Sequence, residues 1–260
     1  MLNVLADAAS QFLFYRGHWD ECVWINTWGY EAALALNDLP NAGSRAHGVF
    51  GIHSQRAGIN DAILWRDRFT QIWASSDDKY KQVYVKRLHG LIAKNRPNYR
   101  EAELNLQETL ATYRDWGSDS GVASVLNDLG NLCCNRSDYG TAEKYYLDAL
   151  ELVRRIGDKQ QQAVFGTSLG FLFLYRKQWV EARQWFEQAL TLAREVGRVD
   201  LIAFAQSGLA RAWEAEGQPD LALPLAQEAL AIRERLQDKD LVATRELVQR
   251  LTAAVQKGAN

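Results

Sequence analysis

Apolar side chains recur along the chain in short stripes with a spacing of about 3.6 residues, which is typical of one face of an α-helix. Every stretch of forty residues contains two such stripes, separated by residues such as Gly, Asn, Asp and Gln. Most of these residue types tolerate the left-handed conformation in which helices often end. The pattern therefore predicts paired amphipathic helices at about 3–16 and 19–36, then at 39–56 and 59–76, and onward in steps of forty.

The period of forty is clearest between Leu129–Gly157 and Leu169–Gly197, which align without a gap. Helix pairs that contact only their neighbours stack into a solenoid, so the sequence predicts an all-α solenoid. The shared positions are an aromatic column at Trp19, Tyr99, Tyr139 and Trp179, and a small-residue column at Cys22, Ala62, Ala102, Ala142, Ala182 and Ala222.

Six copies of this unit leave about twenty residues, enough for one further helix. We expect a single domain with repeats at about 1–38, 39–78, 79–118, 119–158, 159–198 and 199–238, and a cap helix at 239–256. Gly130 and Gly170 should allow the two helices of a pair to approach closely. Arg250 holds the corresponding place in the last helix, which predicts a solvated cap with no tight partner beyond it.

The recurring order resembles the tetratricopeptide repeat, whose usual period is 34 residues. Its longer period is similar to that of kinesin light chains and of the sensor arrays of bacterial signal-transduction (STAND) ATPases. The resemblance implies a right-handed superhelix of six helix-turn-helix repeats, with Tyr146 and Phe186 as core anchors. The residues that carry it are Leu129, Gly130, Tyr139, Ala142, Tyr146 and Ala149, repeated as Leu169, Gly170, Trp179, Ala182, Phe186 and Ala189.

Composition narrows the classes of partner. The net charge is −2, so the chain as a whole attracts neither nucleic acid nor an anionic membrane. The sequence has neither a run of eighteen apolar residues nor a basic and apolar leader, and we expect a cytoplasmic protein. Its three cysteines are an odd number within predicted helices, which favours thiols in a reducing compartment.

No catalytic signature is present. A nucleotide-binding G-x-x-x-x-G-K-[ST] motif is missing, and His18, Asp20 and Cys22 lack the second ligand pair of a recognised metal site. We therefore predict a protein that is not an enzyme and needs no cofactor or metal. A nucleotide-binding domain upstream in a longer parent chain remains compatible with the resemblance.

The first helices of such repeats line the concave groove, and here they carry a column that is polar in every repeat. One turn further on lie Asn131, Phe171 and Arg211, which add donors and an apolar platform. These positions predict a groove that binds an extended peptide bearing a carboxylate. The alternative is a hydrated groove whose polar side chains serve solubility. The polar column contains Asp7, His47, Arg87, Asn127, Thr167 and Ser207.

Trp24 and Trp28 do not follow the repeat pattern. The column of Trp28 is polar or charged in the other five repeats, so its exposure would form an apolar patch on the outer surface. A rotated helix in an irregular end repeat would explain it equally well. These features predict a recognition module for proteins or peptides. The alternative is the ligand-sensing C-terminal array of a larger STAND-type signalling ATPase, docked through this patch.

Overall fold

A computed structural model describes residues 2–56, 59–93 and 99–258, and the side chains within those ranges except at 2–7, 59 and 89–93. These ranges form thirteen α-helices that follow one another through short turns. They are α1 (Leu2–Arg16), α2 (Trp19–Ala35), α3 (Leu39–His53), α4 (Ile59–Ala74), α5 (Lys79–Ala93), α6 (Tyr99–Asp115), α7 (Asp119–Asn135), α8 (Tyr139–Arg155), α9 (Lys159–Tyr175), α10 (Trp179–Val196), α11 (Val199–Ala215), α12 (Pro219–Leu236) and α13 (Leu241–Gly258).

Consecutive helices pack as hairpins that stack on one another, which confirms the predicted α-solenoid. α3 ends at His53, three residues earlier than predicted, and residues 57 and 58 lie outside the described ranges. Residues 94–96, predicted as the end of a helix, lie outside them as well. The repeat boundaries and the single domain stay predictions. None of the described helices is both long enough and apolar enough to cross a membrane.

Side-chain caps explain where several helices begin. The Asp158 carboxylate accepts a hydrogen bond from the Gln161 amide at 2.9 Å, and Asp138, Asp38 and Ser118 accept in the same way from the residue three positions on. Such bonds satisfy amide groups that the first turn of a helix leaves unpaired. These side-chain caps therefore fix where α3, α7, α8 and α9 begin.

Aromatic side chains fill the space that the predicted glycines leave. A Cβ atom on Gly130 would lie 2.5 Å from the Tyr146 ring, and one on Gly170 would lie 2.6 Å from the Phe186 ring. Tyr146 and Phe186 are both almost fully buried, which confirms them as core anchors. The helices of these two repeats can pack closely only because glycine faces each ring.

The last helix caps the stack as predicted. Leu247 and Leu251 of α13 are fully buried against α11 and α12. Arg250 points outward instead, and its guanidinium binds the Glu214 carboxylate at 3.1 and 3.2 Å. One face of the cap helix is thus buried, and the opposite face is exposed to solvent.

The two ends of the solenoid touch each other, which the sequence did not predict. Leu236, at the end of α12, is fully buried in an apolar cluster with Trp19, Cys22 and Ile52 from the first two repeats. The Lys239 amide, in the turn before α13, donates to the Gln55 carbonyl at 2.9 Å. The six repeats therefore close head to tail.

Polar and aromatic contacts extend this closure. The Tyr15 hydroxyl donates to the Gln160 side chain at 2.6 Å, and the Arg198 guanidinium lies over the rings of Phe14 and Tyr15 at 4.8 and 5.2 Å. Arg56 and Asp238 form an antiparallel bridge beside Lys239. We call the head-to-tail contact the clasp. On one side it comprises Phe14, Tyr15, Gly17, Trp19, Ile52, Gln55 and Arg56, and on the other Gln160, Arg198, Val199, Leu236, Asp238 and Lys239.

Candidate functional site

Two adjoining pockets lie between α7, α9 and α11 and the turn before α13. The larger has a volume of about 480 Å³ and the smaller about 280 Å³. They share Phe171, Tyr175 and Phe204, so these three rings form a common wall. We call the two pockets together the inner chamber. Across the clasp, Gln55 of the second repeat also lines the larger pocket.

Five of the eight residues predicted for the groove meet in the inner chamber. Asn131, Thr167 and Phe171 line the larger pocket, and Phe171, Ser207 and Arg211 line the smaller. They come from α7, α9 and α11, the first helices of repeats four to six. The chamber therefore takes its predicted residues from repeats four to six, whereas the polar column runs through all six repeats.

The polar column lies at the bottom of the chamber and offers little accessible surface to a ligand. Thr167 and Ser207 are buried, and their hydroxyls donate to carbonyls of their own helices, at Ala163 and Phe204. The positions one turn later are more accessible, and Arg211 is exposed. Residues of that second column are therefore better placed to contact a ligand. The side chain of Asp7, which begins the first column, lies outside the described residues.

Arg87 and Asn127 do not line the chamber. The Arg87 guanidinium binds the buried Asp128 carboxylate of α7, with 2.5 Å between Nε and Oδ2. Asn127 is only 8% exposed, and its side-chain oxygen is buried without a hydrogen-bond partner. The Arg87 guanidinium thus joins two repeats. The repeat pattern did not predict that Asp128 is its partner.

His47 lies apart from the other predicted residues, inside an aromatic cage. The rings of Phe69, Trp73 and Tyr84 have centroids 5.1 to 5.2 Å from the imidazole, and His47 Nε2 is 2.8 Å from the Tyr84 hydroxyl. Burial lowers the pKa of His47 to about 4, so the ring is neutral at pH 7. His47 also borders a separate pocket of about 290 Å³ beside α1 and α2.

Tyr146 connects the core to the chamber. Its ring packs on Gly130, and its hydroxyl donates to the Asn131 side-chain oxygen at 2.8 Å. Burial raises the pKa of Tyr146, so the phenol stays protonated and remains a donor. Because the Asn131 oxygen accepts this bond, its NH₂ group is left to donate into the larger pocket.

Most charges of the chamber neutralise one another. Arg198 binds Asp200 through two hydrogen bonds, one of 2.7 Å, and both side chains are buried. Arg233 lies 2.9 Å from Asp238 and 3.1 Å from Asp240. Two cations lining the chamber, Lys239 and Arg211, make no ion pair with any described carboxylate. Because Arg233 faces two carboxylates, these seven charged groups sum to +1, and the excess lies in the larger pocket.

The sequence analysis did not predict several residues that line the chamber. Only some of these residues follow a sequence pattern that would have identified them. Asn135 and Tyr175 continue the stripes of Asn131 and Phe171 by one further turn, so extending the two predicted columns would have found them. Lys239 lies outside the repeating frame. It reaches the chamber only because the solenoid closes.

Trp24 and Trp28 are 69% and 67% exposed, one turn apart on α2. Both project from the outer surface, away from the apolar cluster that buries Trp19 and Cys22 of the same helix. The apolar patch expected from the repeat columns is present. Its role as a docking site stays a prediction.

Sequence models of the tetratricopeptide repeat match residues 122–156 and 160–235. A search of curated protein sequences finds no match. Among solved structures, BtubC (BKLC) from P. vanneervenii is 18% identical with a TM-score of 0.55, over 83% of this chain and 91% of that one.

Two complexes of Rap proteins also share the fold. A Rap protein complexed with competence and sporulation factor is 13% identical with a TM-score of 0.62, over 96% of this chain and 74% of that one. The Rap conjugation gene regulator of plasmid pLS20, in complex with the Phr* peptide, is 15% identical with a TM-score of 0.62, over 96% and 72%. At these identities the likeness concerns the fold. The matched sequence models show tetratricopeptide repeats at residues 122–156 and 160–235 of this chain.

Proposed function

We propose that the chain is a recognition module without catalytic activity, which holds an extended peptide bearing a carboxylate in the inner chamber. The observation that carries this proposal is the pairing of a shared aromatic wall with two cations, Lys239 and Arg211, that have no described carboxylate partner. The complex of the plasmid pLS20 Rap regulator with the Phr* peptide supports it by analogy of fold.

The size of the chamber suits a short peptide segment. Ligand pockets commonly measure about 300 to 1,000 Å³ and combine apolar walls with a few polar groups. Here the wall of Phe171, Tyr175 and Phe204 offers flat surfaces for apolar side chains. The NH₂ group of Asn131, held by Tyr146, is positioned to donate to a peptide carbonyl.

Charge favours an acidic guest. Asp200 balances Arg198, and Asp238 and Asp240 outweigh Arg233 by one negative charge, so Arg211 and Lys239 leave a net excess of one positive charge. A hydrogen bond to a charged group contributes about 1.5 to 3 kcal/mol, so the loss of one cation should weaken binding about tenfold or more. A carboxylate at the C-terminus or in a side chain would meet this requirement.

The direct test is fluorescence anisotropy with fluorescein-labelled hexapeptide libraries, identical except for a free carboxylate or an amide at the C-terminus. We expect the wild-type chain to prefer the acid form, and Asn131→Ala and Arg211→Gln to weaken binding about tenfold. Arg194→Gln is the matched control, because Arg194 is exposed on α10 and outside the chamber. Equal binding by all four proteins would exclude the chamber as the recognition surface.

A second candidate function is sensing within a larger STAND-type signalling ATPase, supported by the exposed Trp24 and Trp28. In that arrangement the outer patch of the first repeat would dock on an upstream nucleotide-binding domain. Hydrogen exchange of α2 should then be slower in the parent protein than in this chain alone. Identical exchange in the two proteins would remove the docking site.

A further inference from the structure

We infer that the inner chamber is completed by closure of the clasp, so that ligand binding and head-to-tail closure stabilise each other. This inference rests on the proposed function, because it concerns the same chamber. It adds that residues from the first two repeats, far from the chamber in sequence, control its affinity.

The backbone at Lys239 shows how closure completes the larger pocket. Lys239 lies in the turn between α12 and α13, and its amide is bonded to Gln55 at 2.9 Å. Both residues line the larger pocket, although they come from opposite ends of the solenoid. An open clasp would remove Gln55 from the wall and release the turn that holds the Lys239 ammonium group.

Arg198 provides a second connection between clasp and chamber. It lines the larger pocket and is only 8% exposed, with its guanidinium stacked on Phe14 and Tyr15 of α1. Its partner Asp200 lines the pocket as well. Withdrawal of α1 would uncover this ion pair, so both the charge and the shape of the wall depend on the first repeat.

The clasp is built lightly enough to open without unfolding the chain. It consists of one apolar cluster around Trp19 and Leu236, one short backbone bridge, the bond from Tyr15 to Gln160, the stacking of Arg198 and a contact of 3.5 Å from the Lys239 ammonium group to the Ser54 carbonyl. Each repeat keeps its own interface with its neighbours when these contacts are lost. A ligand that binds the closed form more tightly must shift the population toward closure by the same factor.

Gly17 offers a substitution that weakens the clasp from outside the chamber. Its φ is +78°, and an added Cβ would lie 2.8 Å from Leu236 Cδ2 and 2.9 Å from Val199 Cγ2. Gly217 occupies the equivalent turn of the sixth repeat with a φ of +74°, and a Cβ there would meet no atom within 4 Å. Gly17→Ala and Gly217→Ala therefore impose the same backbone strain, and only the first disturbs the clasp.

The experiment measures exchange of the Lys239 amide by NMR and binding of the acid-terminated hexapeptide library by anisotropy. Gly17→Ala should speed this exchange and weaken binding, each about tenfold, whereas Gly217→Ala should change neither. In the wild-type chain, saturating peptide should slow the exchange. Lys239→Gln keeps the backbone bond, so the Lys239→Gln variant should retain slow exchange of this amide and lose the preference for the acid-terminated over the amide-terminated peptides. Lys177→Gln, in an exposed turn, should retain both the slow exchange and the preference for the acid.

The outcomes separate the two ideas. Peptide that binds wild type and Gly17→Ala equally would overturn the coupling and leave the proposed function intact. An exchange rate of the Lys239 amide that saturating peptide leaves unaltered would overturn the coupling in the same way. Failure of the whole library to bind the wild-type chain would overturn both.

Discussion

The hydroxyl of Tyr146 donates a hydrogen bond of 2.8 Å to the side-chain oxygen of Asn131. One residue belongs to the core, where its ring fills the space beside Gly130, and the other lines the inner chamber. A residue placed by the repeat pattern therefore also fixes the orientation of an amide on the candidate binding surface. Stability and recognition are linked through this one contact.

Removing only the hydroxyl should separate these two roles. Tyr146→Phe keeps the ring in place and deletes the bond to Asn131, so we expect the free energy of unfolding to fall by about 1 kcal/mol. Tyr146→Ala also empties the ring site and should cost about 3 to 5 kcal/mol, as should Phe186→Ala. Urea unfolding measures both effects. If Tyr146→Phe bound the hexapeptides as tightly as wild type, the orientation of Asn131 would not depend on this bond.

Gly170 tests the packing of one helix pair. A Cβ at this position would lie 2.6 Å from the Phe186 ring, so Gly170→Val should push α9 away from α10 and cost about 1 to 3 kcal/mol. Gly140 is the control, because an added Cβ there would meet no atom within 4 Å. Gly140→Ala should be neutral or slightly stabilising in a thermal melt. Equal melting temperatures for the two variants would contradict the close approach at Gly170.

The sequence predicted the features that repeat and missed those that do not. Columns such as Gly130 and Gly170 recur every forty residues, and each is explained by a contact inside its own repeat, so periodicity alone found them. The clasp joins Gln55 to Lys239 across almost the whole solenoid. Such a contact depends on small rotations accumulated over six repeats, which no single repeat encodes. The position of the inner chamber was missed in part for the same reason.

His47 should make stability depend on pH. The unfolded chain binds a proton at this residue below about pH 6.5, whereas the folded chain binds it only near pH 4, because burial lowers the pKa. Between these values the unfolded state holds more protons, so the free energy of unfolding falls as the pH falls. The full difference is about 3 kcal/mol, of which about 2 kcal/mol should be lost between pH 7.5 and 5.0.

Urea unfolding of His47→Phe at these two pH values checks the assignment. The variant should show a smaller loss at pH 5.0 than wild type, with a residual part from the less buried His53, whose pKa burial also lowers. A pH dependence that survives intact in His47→Phe would assign it to other groups.

The ion pair of Arg87 and Asp128 shows why a polar residue in a groove column is not necessarily a ligand contact. Asp128 is buried, and Arg87→Ala would leave its carboxylate without a counterion, so we expect a loss of about 3 to 5 kcal/mol.

The double variant Arg87→Met with Asp128→Leu removes both charges and should recover most of that stability, because the desolvation cost disappears with the pair. Arg155 and Asp119 form an exposed pair at 2.7 Å, and Arg155→Ala should cost less than about 1 kcal/mol. Chemical denaturation of these variants compares the two pairs directly. A double variant as unstable as Arg87→Ala alone would show that the arginine acts mainly through packing. If the double variant bound the hexapeptides with wild-type affinity, this would confirm that Arg87 lies outside the recognition surface.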